Sequence, residues 1–333
     1  MSQLVLLIVG AMWMAVLLPP LLRSRFDGGA VSSVSDFLPA LPNWPLFNSF
    51  MPLNFDLHAH SSVSDGLLSP ADLVAYAAAK GVNVLALTDH DDISGLPAAQ
   101  AAAETHNIDL INGVEISVTW KKRTLHIVGL NIDPNNLALQ QALALVRIAR
   151  DERAQQMGEG LAKAGIADAY QGAKRLAKQS IITRVHFARY LVELGLVKDT
   201  KSVFKKYLVK GKPGFVEHQW MDLQQAVELI TQSGGTAVIA HPGRYDLGSV
   251  NMLQLLHEFR SYGGAAIEVV TSSHTPPQYQ QFAKLAHQFS LKSSQGSDYH
   301  GPGISFMEMG RLADLPSNCV PVWQDWPQFQ AMQ

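Results

Sequence analysis

A chain of 333 residues, 47% of them hydrophobic and 16% charged, can bury a substantial core and lacks the polar composition of a disordered scaffold. Its single cysteine, Cys319, excludes an internal disulfide and any cysteine-rich zinc site, so a metal would have to be held by histidine and carboxylate. The formal charge of −2 conceals a basic segment: residues 174–212 hold eleven lysines or arginines against Glu193 and Asp199, locally +9, leaving about −11 elsewhere.

Residues 4–22 carry no charge, about the length a bilayer-spanning helix needs, and Arg23 and Arg25 follow with no basic residue ahead of the run. Neither a basic n-region nor a small-residue cleavage site is evident, so residues 1–25 read as a membrane anchor with the rest of the chain on the cytoplasmic side, although Pro19 and Pro20 would disturb its last turn. Residues 26–52, rich in proline, glycine and serine, read as a linker. From residue 53 onward short apolar runs alternate with helical patterns, the signature of βα units in a parallel sheet or barrel. The expected strands are residues 54–58, 82–87, 108–115, 124–130, 236–240, 265–270 and 291–294, one fewer than a standard β/α barrel has. Expected helices include residues 70–80, 94–106, 223–233 and 277–289, with Pro70 at an early helical position and Gly81, Gly234 and Gly235 where C-caps belong. Residues of about 137–219 break this rhythm with consecutive helical patterns, and we read them as a helical insertion carrying the basic segment.

Histidines and carboxylates gather at the predicted strand ends. Asp56, His58 and His60 close the first strand and Asp65 follows; Asp89 and His90 close the second, and Glu115 the third. His126 lies in the fourth, His241 follows the fifth, and Asp298 and His300 follow the seventh. In a β/α barrel such ends converge on one face. In His-x-His on extended chain both imidazoles share one side and can reach one cation, and Asp-x-His repeats the geometry. Carboxylates can bridge cations about 3.5–4 Å apart, and such a site clamps a phosphoryl oxygen and acidifies water. Mixed histidine and carboxylate ligands suit manganese, iron or zinc better than magnesium. Singly, each element is weak: His126 within an apolar strand is also what a core histidine looks like, and most lysines of the basic segment read as solvated helix faces. His106, His218, His257 and His287 fall in helical or loop patterns and receive no role.

The run from Asp56 through Leu96 (DLHAH…TDHDDISGL), followed in order by GVEIS, HIVGL, AHPGRY, EVV and GSDYHGP, resembles the PHP (polymerase and histidinol phosphatase) superfamily over residues 53–333. The resemblance implies a distorted seven-stranded β/α barrel, here with a helical insertion subdomain and an N-terminal hydrophobic segment, and metal-dependent phosphoesterase activity. It implies two or three divalent cations, manganese foremost: His58, His60, Glu115 and Asp298 around one, Glu115, His126 and His241 around a second, and Asp65, His90 and His300 around a third. Asp65, His90, Glu115 and Asp298 would be the catalytic residues. In the insertion, ITRVHFARYLVELG and KYLVKGKPGF are similar to a bacterial subgroup of 3′,5′-nucleoside bisphosphate phosphatases, also called RNase AM, which implies a nucleotide or short RNA as substrate. Arg184 and His186 would then contact substrate phosphate, with Arg244 as a further candidate. A histidinol-phosphate or other small phosphomonoesterase, and a non-catalytic metal-binding module, are the competing readings. The complete ligand set argues against the module, and nothing in the sequence calls for an obligate protein partner.

Overall fold

A computed structural model describes residues 53–178 and 181–330; the expected anchor and linker lie outside the described residues. Among the described residues no helix is long and apolar enough to cross a membrane. Seven strands follow one another around a nearly closed barrel: β1 (Phe55–Ala59), β2 (Val84–Leu87), β3 (Asp109–Trp120), β4 (Arg123–Leu130), then, beyond the two-residue β5 (Met221–Asp222), β6 (Thr236–Ile239), β7 (Ala266–Thr271) and β8 (Lys292–Gly296). β5 stands outside this ring and pairs with β3. The ends of the ring meet where Ala59 bridges Tyr299, where the Asp298 amide donates to the His58 carbonyl at 2.9 Å, and where Gln295 Nε2 donates to the Phe55 carbonyl at 2.9 Å.

The strand set matches the sequence reading, but its direction does not. β3 runs five residues past Glu115 and turns straight back, so β4 is antiparallel to both of its neighbours, β3 and β6. The reversal is a tight turn with Lys121 at φ 46° and Lys122 at φ 61°, the backbone a two-residue hairpin requires although neither residue is glycine. Glu115 and His126 are therefore not strand-end residues. They lie within a hairpin, where Ser117 pairs with His126 and Glu115 with Val128. The alternating pattern of residues 113–120 was masked by the early apolar stop at Glu115, and lysines do not announce a turn of this type.

Alternate residues of β2 and β6 divide between two hydrophobic clusters, so the wall is buried on both faces. Leu85, Leu87, Ala237 and Ile239 join the cluster that takes in Leu73, Val227, Phe259 and Phe282 from the helices Pro70–Ala79, Leu223–Gln232, Gly248–Ser261 and Pro276–Gln288. Val84, Ala86, Val238 and Ala240 join a second cluster with Phe55 and Leu57, which Trp326 and Phe329 close. Between β4 and β5 all regular structure among the described residues is helical: Leu137–Lys163, Ala169–Ala177, Arg184–Glu193 and Thr200–Val203, the last running into a π-helical turn at Phe204–Leu208. These helices enclose a cluster of their own, with Met157, Leu161, Phe187, Leu191 and Leu208 fully or almost fully buried. Three of the four starts are fixed by a short polar side chain: Asn136 accepts from the Leu139 amide, Thr183 from Val185, and Asp199 from Ser202. Every lysine between 174 and 212 is exposed, as solvated helix faces require.

Candidate metal centre

All nine side chains singled out as ligands converge. Glu115, wholly buried in β3, is the hub: its Oε1 lies 3.3 Å from His58 Nε2, 3.0 Å from His126 Nδ1 and 2.9 Å from His241 Nε2. Its Oε2 lies 3.4 Å from His60 Nε2 and 2.8 Å from His90 Nδ1. Asp298 Oδ1 faces His58 Nε2 at 3.6 Å and His60 Nε2 at 3.2 Å, while Asp65 Oδ1 faces His300 Nε2 at 3.2 Å and His90 Nε2 at 4.0 Å. Donor atoms of His60, Asp65, His90 and His300 lie within 4.8 Å of one another, as do those of His58, His241 and Asp298, of His58, His60 and Glu115, and of His90, Glu115 and His126. The grouping differs from the one the resemblance implies: His60 also joins the Asp65 set, His90 also joins Glu115 and His126, and His241 stands with His58 and Asp298, because Glu115 and the two histidines of β1 sit at the centre of a continuous cluster.

The local backbone is bent to make this convergence. His241 and Asp298 both sit at positive φ, 28° and 54°, a strained conformation for non-glycine residues and one that concentrates at functional sites. Gly296 is obligatory for a different reason: a Cβ there would lie 2.2 Å from the Cβ of His58.

The residues present fit divalent cations. Asp65 Oδ1, His90 Nδ1 and Glu115 Oε2 are buried and have no hydrogen-bond partner among the described residues, although His90 Nδ1 and Glu115 Oε2 are only 2.8 Å apart. Buried polar atoms rarely stay unsatisfied, and close approach without hydrogen-bond alignment is how ligands of a shared ion stand. The charges agree. Burial would raise Asp65, Glu115 and Asp298, but the imidazoles around them outweigh it and hold all three carboxyls well below their usual range. Burial drives His60 down to about 3 and His126 to about 4, which keeps their nitrogens free as donors. For His300 burial also acts downward, but Asp65 and Asp298 overcome it and raise the imidazole to about 9, so a cation binding there would have to displace a proton.

A carboxylate that the sequence reading did not single out ties two ligands together. Glu268, buried in β7, holds His58 Nδ1 at 2.7 Å through Oε1 and accepts the His241 amide at 2.5 Å through Oε2. Its signal was present, an acidic residue inside the otherwise apolar 265–270 run, but only its place opposite β1 gives that residue a partner. Asp89, burial-raised to about 6, accepts from the Ser61 amide and from the Ser61 and Ser64 hydroxyls and so shapes the loop that carries Asp65.

A cavity of about 180 Å³ opens over the cluster, and its cationic wall is arginine: Arg150 and Arg153 from the helix Leu137–Lys163, Arg184 from the next helix but one, and Arg244 after His241. Arg244 pairs with Asp298 Oδ2 through Nη1. Arg184 has no hydrogen bond or ion pair among the described residues and stacks 5.7 Å over the Phe204 ring; Arg153 makes one long contact, 3.5 Å to the Val216 carbonyl, and stacks 5.4 Å over Trp220. Burial first, then the neighbouring arginines, depress both guanidinium pKa values, Arg153 to about 9. His186 does not join them. Its Nδ1 accepts the Thr183 amide at 3.1 Å in the capping box of its own helix, and the ring is absent from the cavity wall. The resemblance implied a phosphate contact for both Arg184 and His186, but the third residue of this helix turns its side chain back to the cap. Arg150, Arg153 and Trp220 gave no signal in sequence, since nothing in a helical or loop pattern marks which cation faces a cavity. A larger groove of about 740 Å³, between the helices Leu96–His106 and Leu137–Lys163, is lined by no histidine and stands apart from the ligand cluster.

Comparison with known proteins follows the same lines. The profile of the PHP domain family matches residues 56–302. A 3′,5′-nucleoside bisphosphate phosphatase of Chromobacterium violaceum is 48% identical over 273 residues, 82% of this chain and 96% of that protein. The 5′-3′ exoribonuclease Rnm of Escherichia coli is 44% identical over 278 residues, 83% of this chain and 94% of that one. A solved structure of an amidohydrolase from Chromobacterium violaceum, with bound sulfate, superposes with a TM-score of 0.79 at 48% identity, covering 84% of this chain and 96% of the other.

Proposed function

This chain belongs to the PHP domain family, and from that premise we propose that it is a metal-dependent phosphoesterase acting on 3′,5′-nucleoside bisphosphates, releasing a nucleoside 5′-monophosphate and phosphate, and on short 5′-phosphorylated RNA from its 5′ end. The observation that carries the reading is the pair of arginines over the ligand cluster, Arg153 and Arg184, neither of which has an anionic partner among the described residues. A substrate with one phosphate is satisfied at the cluster; a second phosphate gives these guanidiniums the charge-assisted, forked hydrogen bonds they lack. The names carried by relatives 48% and 44% identical support the same substrate class.

The nine ligands His58, His60, Asp65, His90, Glu115, His126, His241, Asp298 and His300 would hold two or three divalent cations, manganese before iron or zinc. Such cations, when bound, supply Lewis acidity toward a phosphoryl oxygen and make water nucleophilic near neutral pH. Glu268 orients His58 and His241. Arg244, paired with Asp298, stands where cluster and cavity meet and is placed to bind an oxygen of the reacting phosphate, while Phe204 and Trp220 support the outer arginines. In this reading the catalytic body is residues 53–333, with the helices of residues 137–219 as its substrate-facing insertion. The uncharged run 4–22 followed by Arg23 and Arg25 supports attachment of that body to the cytoplasmic face of a membrane.

The deciding experiment is a hydrolysis screen with Mn²⁺ against adenosine 3′,5′-bisphosphate, 5′-phosphorylated oligoribonucleotides and histidinol phosphate. Turnover of the first two well above the third is expected. Preference for histidinol phosphate would make this a small phosphomonoesterase and overturn the proposal.

A further inference from the structure

The ion pair between Asp91 and Arg150 lies beneath the cavity and belongs to neither the ligand set nor the unpaired arginines. Asp91 is completely buried and Arg150 nearly so. Arg150 Nε and Nη2 both donate to Asp91 Oδ2, the former at 2.7 Å, and Nη2 also donates to Ser117 Oγ at 2.7 Å. Asp91 Oδ1 accepts the Ser117 amide at 2.8 Å, and the Asp91 amide donates to the Glu115 carbonyl at 3.0 Å. Backbone and side chain of Asp91 therefore hold β3 at Glu115 itself and two residues beyond it. On the preceding side, His90 is bridged to Glu115 by backbone pairing, and the chain leaves it through Asp91 at φ 47°. The same helix holds this loop a second time, through Arg147, whose Nη1 donates to the Asp91 carbonyl at 3.4 Å and whose Nε lies 3.6 Å from Asp92. Trp220 covers the pair, with Arg150 4.6 Å over its ring.

We infer that the Asp91–Arg150 pair is a positioning latch, by which the first insertion helix sets the separation of His90 and Glu115 and thus the affinity of the cluster for its metal. A buried pair of this kind is poor evidence for stability, since well-packed neutral groups often replace it without loss, so its value must be sought in the geometry it fixes. Two ligands that share one cation tolerate little play, and partners behind metal ligands typically change metal affinity 10–100-fold when removed. The latch also registers Arg153, one helical turn beyond Arg150, against the cluster. The inference rests on the metal reading of the cluster and not on the choice of substrate.

The test compares the parent chain with Asp91→Asn, Arg150→Met and the double variant, asparagine being chosen because it tolerates positive φ. Each metal-free protein is melted and then titrated calorimetrically with Mn²⁺. Each single variant leaves one buried charge unpaired and should melt on the order of 10 °C lower. The double variant should recover most of that loss and still bind Mn²⁺ about 10–100-fold more weakly than the parent. Arg150→Lys, which keeps the charge and loses the fork, should fall between. A double variant that binds Mn²⁺ like the parent would overturn the latch, as would one that melts as low as the singles, because the pair would then act through the fold. If the parent itself bound no Mn²⁺, the metal reading would fail and the latch with it, whatever substrate the screen returned.

Discussion

Replacing Glu268 by glutamine changes one atom and should weaken metal binding severely. The carboxylate accepts two bonds, from the His241 amide at 2.5 Å and from His58 Nδ1 at 2.7 Å. That second bond places a proton on Nδ1 and so assigns Nε2, which faces Glu115 and Asp298, as the nitrogen that a cation would take. Glutamine can keep one of these arrangements. Its oxygen goes to the His241 amide, which has no other acceptor in view, and its NH₂ then donates to His58 Nδ1. The His58 proton is forced onto Nε2, the nitrogen that should meet the cation. Restoring the ligating tautomer would set two donors against each other, a cost comparable to a lost buried hydrogen bond to a charged group, about 1.5–3 kcal/mol. At about 1.4 kcal/mol per tenfold, the Mn²⁺ concentration for half-maximal activity should rise roughly 10–100-fold. The melting temperature of the metal-free protein should move by only a few degrees, since shape and packing are kept. Initial rates measured across a Mn²⁺ series give the first quantity and a thermal scan the second. An unchanged Mn²⁺ requirement would refute the tautomer argument, and a collapse of the metal-free fold would show that Glu268 acts by holding β7 to β1 instead.

Dialysis against a chelator should abolish turnover and added Mn²⁺ should restore it, while Asp298→Ala, which removes a carboxylate shared by His58 and His60, should stay inactive at any Mn²⁺ concentration without losing its circular-dichroism signature. Arg184→Ala should lower kcat/KM for adenosine 3′,5′-bisphosphate about 10–100-fold, the worth of one forked phosphate contact, with lysine restoring only part; an equal loss on a simple monophosphate would remove Arg184 from the second-phosphate site. His186→Ala should cost about 1 kcal/mol of stability through the lost cap and leave KM for the bisphosphate within about twofold, whereas a large rise in KM would return His186 to the substrate. In fractionated cells the full chain should sediment with membranes and residues 53–333 should not; equal behaviour of the two would dispose of the anchor.

The parts of this site that were legible in sequence are those whose chemistry is rare in a core. A buried histidine or aspartate at the end of an apolar run has few structural uses, so His58, His60, His90, His241 and Asp298 stood out one strand at a time, and the βα rhythm supplied the reason for them to meet. The strands themselves followed from apolar runs of the right length, and the helix Pro70–Ala79 from the proline at its first position; the structure adds the Ser69 cap, which accepts the Asp72 amide at 3.1 Å. What stayed hidden were choices between equivalent residues. The eleven cations of residues 174–212 look alike on paper, yet the lysines are all solvated, Arg189 donates to the Asp65 carbonyl at 2.6 Å, and only Arg184 faces the cavity. Local charge predicted that an anion would be drawn to the insertion and said nothing of which side chain would meet it.

The reversed hairpin shows why the miss in strand direction did not spoil the site. Had β4 been parallel, His126, near its start, would have been carried toward the end of the barrel opposite its companions. Because β3 continues past Glu115 and folds back, His126 comes down the neighbouring strand instead, and its Nδ1 still stands 3.0 Å from Glu115 Oε1. The longer strand has a second consequence. Its extension through Ser117 and Thr119 gives the insertion something rigid to hold: Arg150 grips Ser117, and the Trp220 amide donates to Thr119 Oγ1 at 2.8 Å just before β5 pairs there. A hub carboxylate at a free strand end would move with its loop. Placed mid-hairpin, Glu115 is braced by β4 on one side and by the insertion on the other, so the element that supplies the arginines of the cavity also bears on the histidine and carboxylate cluster.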